Sequence, residues 1–314
     1  MEPKDATNPT AQPANWMLPV FAMVCALLWG SAFPGIKYAY RFVDGTDFGM
    51  RVAFAGIRFT IAGSLLMLFF SKVSHWRAVP KGLLAGITLF QVVIQYILFY
   101  WTLSVISGVL AAIINATGSF WWVFLAPLAG QAPKPTLKQL SILLLGFGGV
   151  CLCVYKAGPG SINPELGVVL ALIATLSASF AVLMVRPASR LVPVQFLAGG
   201  SLLLGGLAMM ALSPGDVWYL VGHAPRPLIL ITLYLSVVSA AAFSLWYFLV
   251  NRFDVSRLSG YRFLIPVCGV WESVVWVPDE AFTTSIALGG TVVVTCVWLL
   301  ERLRRGPRPL ARVG

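Results

Sequence analysis

Residues 82–129 read GLLAGITLFQVVIQYILFYWTLSVISGVLAAIINATGSFWWVFLAPLA, without one charged side chain. As a single helix this run would extend about 72 Å at 1.5 Å per residue, against a hydrocarbon layer of about 30 Å. It must hold two crossings joined by a tight turn. Ser104 and Ser107 supply the polar break for that turn, at Leu103–Gly108.

Outward from this stretch, apolar segments recur at about 17–40, 50–70, 82–103, 107–129, 137–155, 166–185, 194–212, 228–250, 256–277 and 282–300, each bounded by charge, Pro, Gly or a polar cluster. Of the 314 residues 59% are apolar and 11% charged, against about half and a quarter in soluble domains. A soluble fold could not hide that excess, and lipid removes the difficulty. Residues 1–15 read as a disordered cytoplasmic head. No basic run and cleavage site precede the first segment, so it is expected to remain in the mature chain.

The net charge of +11 would suggest nucleic acid in a soluble protein, but here the basic residues fall in short loops. With the N-terminus in the cytoplasm, 15 of the 22 Lys and Arg lie on the cytoplasmic side. Arg41, Arg51, Lys156 and Arg226 lie opposite, and Lys37, Arg58 and Arg262 fall within spans. This bias predicts ten spans with both termini inside and argues against nucleic-acid binding. Five cysteines lie in apolar segments, and Cys151 and Cys153 lack the spacing and histidines of a zinc site. They read as small buried hydrophobes, with no metal or cofactor implied. The halves also echo each other: Phe99-Tyr100-Trp101 closes the third segment and Trp246-Tyr247-Phe248 the eighth. Five spans per half is an odd number, so a duplicated half inserts upside down, as in secondary carriers.

Leu28-Trp29-Gly30-Ser31-Ala32-Phe33-Pro34-Gly35-Ile36-Lys37 resembles the first-helix signature of EamA-type members of the drug/metabolite transporter superfamily. Arg58-Phe59 with Ala62-Gly63, the run from Gln95 to Ala112, and Pro266-Val267 with Glu280 and Gly289 are similar to later patterns of that family. The likeness extends from about Leu18 to Leu300. It implies ten helices in two inverted five-helix repeats, a central cavity, and export or exchange of small metabolites such as amino acids. The first half departs from the family by lacking a proline–glutamate pair near Phe120 and Pro133.

Polar groups within spans are the candidates for substrate contact. Asn115 and Ser119 are four apart, with Trp122 three further on, and share a helical face. Gln91 and Gln95 repeat that spacing, with Tyr96 and Tyr100 on the adjoining stripe. Either set suits a polar cavity or plain interhelical hydrogen bonding. Glu272, the one acidic residue well inside a span, shares a stripe with Tyr261, Ile265 and Cys268. Proton carriage, a substrate amine and an ion pair with Arg58 or Arg262 are all open to it. Arg262 lies about 15 Å along the same helix, and could hold a substrate or a helix end. Arg58 reads as structural and Lys37 as snorkelling to the interface. Trp16, Trp76, Trp218, Trp276 and Trp298 read as an interfacial belt. Trp29, Trp246 and Tyr247 are candidate stacking surfaces. Pro34 and Pro266 mark possible kinks.

An enzyme would need a metal cluster, an activated nucleophile or paired carboxylates. The only histidines, His75 and His223, fall in loops on opposite sides. No phosphate-binding glycine loop is present. The reading is an all-α membrane protein with repeats at 16–156 and 157–301 and a basic cytoplasmic tail at 302–314. Its function is that of a secondary carrier in the cytoplasmic (inner) membrane, with a small-molecule substrate, a lipid surround and protons as one choice of coupling ion. A channel, or a carrier of nucleobases or drugs, is the alternative.

Overall fold

The computed structural model describes residues 16–128, 134–155, 161–253, 261, 264–278 and 282–304, without the side chains of Ser119, Trp122, Val123, Ala126, Cys153, Val154, Tyr155, Arg186, Glu301 and Arg304. The head at 1–15, Arg262, Glu280 and most of the basic tail lie outside these residues. Among them the secondary structure is helical, with no strand.

The first half holds α1 (Met17–Ala39), α2 (Phe48–Phe70), α3 (Val73–Ala78), α4 (Lys81–Ile87), a π-helical segment (Thr88–Ile94), α5 (Gln95–Val105), α6 (Gly108–Asn115), α7 (Gly118–Leu128) and α8 (Leu137–Tyr155). The second half holds α9 (Pro164–Ser189), α10 (Val194–Leu212), α11 (Pro214–His223), α12 (Arg226–Arg252), α13 (Leu264–Trp276) and α14 (Thr284–Arg304). Six helical stretches are long and apolar enough to cross a membrane: Met17–Ala39, Phe48–Phe70, Lys81–Val105, Pro164–Ser189, Val194–Leu212 and Arg226–Arg252. Leu137–Leu152, Leu264–Trp276 and Thr284–Leu300 are shorter apolar helices.

The turn expected at Leu103–Gly108 is there. α5 stops at Val105, and Ser107 opens α6 by accepting a hydrogen bond from the Leu110 amide at 3.1 Å. The fourth segment differs from the single span expected. It breaks at Ala116-Thr117, where the Thr117 hydroxyl donates to the Ile114 carbonyl at 2.6 Å. Asn115, Thr117 and Gly118 are weak helix formers, and the Ile114 carbonyl at the break accepts from both the amide and the hydroxyl of Thr117. The third segment carries a π turn, and the Ser177 hydroxyl on α9 donates to Phe90 within it at 2.7 Å. Pro266 lies in the first turn of α13, where a missing N–H costs no helix bond; α1 runs unbroken through Pro34.

α2 and α10 cross antiparallel, and an offset of 143 residues maps their contact onto itself. A Cβ on Gly56 would meet Met210, and one on its counterpart Gly199 would meet Met67. A Cβ on Gly63 would collide with the Leu203 backbone, and one on Gly206 with the Thr60 backbone. Only a missing side chain lets the two backbones approach so closely. α8 and α14 obey the same offset: a Cβ on Gly149 would lie 2.9 Å from the Gly289 carbonyl, itself the counterpart of Gly146. Gly148, on the same helix as Gly149, faces open space.

The remaining packing has the same symmetry. α1 lies against α12 and α13, as α9 lies against the α4–α5 stretch and α6–α7. α2 touches α12, as α10 touches α4 and the π segment. Each half thus closes around the other, and the first helix of each half sits among the third and fourth segments of its partner.

Candidate functional site

At the meeting of α1, α2, α5 and α12, rings from both halves pack edge to face. Trp29 stands 5.5 Å from Phe243 and 5.5 Å from Trp246, centroid to centroid. Tyr96 lies 4.3 Å from Phe59 and 6.3 Å from Phe243, and Phe243 lies 6.1 Å from Tyr247. Each such pair contributes about 0.5–1.5 kcal/mol beyond burial. Tyr96, Tyr100, Trp246 and Tyr247 are buried, while Trp29 is half-buried. Five of the residues singled out from sequence therefore come together.

Arg58 forms the floor of this cluster, only 1% exposed. Its Nη1 donates to the Tyr100 hydroxyl at 2.8 Å, its Nη2 to the Ser239 hydroxyl at 2.8 Å, and its Nε to the Leu235 carbonyl at 3.1 Å. The guanidinium also lies over the Phe59 ring at 5.0 Å. It ties α2 and α5 to α12 in mid-helix. The Tyr40 hydroxyl in turn donates to the Tyr100 carbonyl at 2.6 Å, fixing the end of α1.

Glu272 lies beside the cluster on α13. It is 4% exposed, and its Oε2 has no hydrogen-bond partner. A Cβ added to Gly30 would stand 3.0 Å from that oxygen and 2.9 Å from the Cys268 Cβ. The stripe expected for Cys268 and Glu272 does face one place, the small-residue notch next to Trp29. The buried Tyr247 hydroxyl also lacks a partner.

Other sequence candidates fall elsewhere. Gln91 on the π segment donates to Gln95, the first residue of α5, at 2.7 Å. Asn115 is half-buried at the end of α6, just before the break; the side chains of Ser119 and Trp122 lie outside the described residues. Tyr261 is half-buried and packs on the apolar core. Arg262 lies outside the described residues. Trp121 donates to Thr175 at 3.0 Å, and Trp16, Trp218, Trp276 and Trp298 are exposed. Trp271, on α13, is 59% exposed, which suits a lipid-facing ring.

Ser239 and Phe243 escaped the sequence reading. Leu235, Ser239, Phe243 and Trp246 recur at four, four and three residues along α12, so extending the Trp246-Tyr247 stripe backwards would have found them. A cleft of about 180 Å³ between α2, α11 and α12 is a separate feature. Its wall is apolar, and the hydroxyl of its Thr232 already donates to Leu228 at 2.6 Å. It offers nothing to a polar solute.

The sequence pattern of the EamA-like transporter family matches this chain twice, over residues 16–155 and 165–302. An uncharacterized transporter of Archaeoglobus fulgidus is 25% identical over 88% of this chain and 95% of its own length. The uncharacterized transporter YvbV of Bacillus subtilis is 24% identical over 91% of this chain and 92% of its own. One solved crystal structure superposes with a TM-score of 0.57 at 18% identity, covering 92% of this chain and 98% of that one, a likeness of fold. A match that takes in both halves makes this a multi-pass membrane protein of the EamA-like transporter family, within the drug/metabolite transporter superfamily.

Proposed function

We propose that the chain is a secondary carrier of the cytoplasmic membrane and not an enzyme, exporting amino acids or similar small metabolites by alternating access, with protons as the coupling ion. It has ten crossings in inverted repeats spanning 16–156 and 157–301, with both termini cytoplasmic. The antiparallel crossing of α2 and α10 supports the inversion, because the second helices of two like-oriented repeats would run parallel. The charge bias of the loops supports the orientation.

One observation carries the functional reading: the aromatic cluster of Trp29, Tyr96, Phe243, Trp246 and Tyr247 is built from both halves, where a rocking motion would open it. Its flanks carry opposite charge types, Arg58 on one side and Glu272 on the other. That combination suits a small solute with an apolar body and charged ends, and an amino acid is the commonest such metabolite. Counterflow in proteoliposomes tests it, with unlabelled amino acids or nucleobases inside and the labelled compound outside. Saturable exchange of amino acids is the expected result. Exchange confined to nucleobases, or flux that never saturates, contradicts the assignment.

A further inference from the structure

Glu272 has an unusual place. It is almost fully buried, its Oε2 is without a hydrogen bond, and it faces the notch left by the missing side chain of Gly30. The helices packed on α13 are α1 and α6. α6 carries no ionisable residue. On α1, Cys25 donates to the Ala242 carbonyl, Tyr38 meets Phe42 edge to face, and Lys37 lies seven residues beyond Gly30, about 10 Å along the axis. On α13 itself the ionisable neighbour is Cys268, one turn away. No cation among the described residues answers this carboxylate. A charged carboxylate held in apolar surroundings without a counter-charge is costly, and it loses that cost in two ways: by taking a proton, or by taking a cation.

We propose that Glu272 is one site shared in turn by a proton and by the ammonium group of the cargo, so that the carrier exchanges one for the other. The proposal rests on the carrier reading above and narrows its substrates to solutes bearing a protonated amine. Trp29, adjacent to Gly30 and in contact with Trp246, adds ring faces that attract an ammonium. On the cytoplasmic side the carboxylic O–H bond breaks, the proton leaves to water, and the ammonium donates to the freed oxygen. On the outer side the ammonium departs and the oxygen takes a proton again. The two occupants exclude each other, so neither crosses without the other returning. A zwitterionic cargo then moves one net charge per cycle, and a simple monocation moves none.

The test uses three labelled probes in proteoliposomes of the full chain with an internal pH dye: L-phenylalanine, phenethylamine, which keeps the ammonium alone, and 3-phenylpropionate, which lacks it. The expected result is saturable exchange of the first two with opposite proton movement, and acceleration by membrane potential for L-phenylalanine only. Glu272→Gln, monodisperse on size exclusion, loses both exchanges and the pH response by at least about 10-fold, whereas Glu272→Asp retains the pH response. Should Glu272→Gln fail to fold, Gly30→Ala serves instead, crowding the same oxygen and raising KM for both ammonium probes. Ammonium exchange with unchanged proton coupling in Glu272→Gln, or wild-type exchange of 3-phenylpropionate alone, overturns the proposal and leaves the carrier reading standing. No exchange of any solute in the wild type removes both.

Discussion

Two regions of this molecule obey the internal two-fold to very different degrees. At the α2–α10 crossing each contact has its mate: Gly56 and Met210 answer Gly199 and Met67, and Gly63 and Leu203 answer Gly206 and Thr60. At the centre the symmetry fails. Tyr100 closes the third segment and Tyr247 the eighth, 147 residues on instead of 143, and Tyr100 accepts a hydrogen bond from Arg58 while the Tyr247 hydroxyl has no partner. The residue 143 positions after Arg58 is Ser201, whose hydroxyl donates to its own helix at Ala198. Scaffold packing kept the duplicate, and the polar centre diverged from it. The division fits the proposed carrier, in which a pivoting scaffold gains from equal halves and a site for one asymmetric solute needs unlike ends.

The largest effect is expected at the crossing. Gly63→Leu and Gly206→Leu each drive a side chain into opposing backbone, which costs about 1–3 kcal/mol or more. Both should abolish the folded peak in size exclusion, and to a similar degree, while Gly148→Leu, facing open space, should leave it intact. A strong loss at one glycine and none at its counterpart would break the claimed equivalence.

A smaller effect sharpens the contrast between the tyrosines. Tyr100→Phe removes the acceptor of a buried guanidinium and should cost about 1.5–3 kcal/mol, seen as a lower Tm in detergent. Tyr247→Phe removes a hydroxyl with no partner and should change stability by less than about 0.5 kcal/mol. Equal losses would mean that the two hydroxyls are not differently engaged. A modest effect, below that of Tyr100→Phe, lies outside the comparison, at the start of α2. There Asp47 accepts a hydrogen bond from the Met50 amide at 2.7 Å, and Asp47→Ala should cost about 1 kcal/mol by the same Tm measurement.

Much of the scaffold was legible in the sequence because hydropathy and helix length are local. The turn at Ser107, the long apolar stretch Lys81–Val105 before it and the exposure of Trp218 and Trp276 follow from composition along a short window. What depends on backbone irregularity was not legible. The break at Ala116-Thr117 falls between Asn115 and Ser119, the π turn falls within the third segment, and nothing in the hydropathy pattern announces either. In the site, Trp29 and Trp246 were found from motif and repeat position. Phe243 and Ser239 were missed because each is an ordinary residue in a membrane helix until packing brings it against Trp29 or Arg58. The Gly30 notch that faces Glu272 likewise becomes visible only when α1 lies on α13.

The central claim is that the ring cluster between the halves is the surface that holds the cargo. Saturable counterflow of an exchanged amino acid, compared among the wild type, Trp29→Ala and Trp246→Ala, tests it most directly, with folding checked by size exclusion. The account predicts that both variants remain folded and that KM rises by about 10-fold or more, as expected for a lost stacking contact worth about 1.4 kcal/mol. Unchanged KM and maximal rate in both folded variants would contradict it.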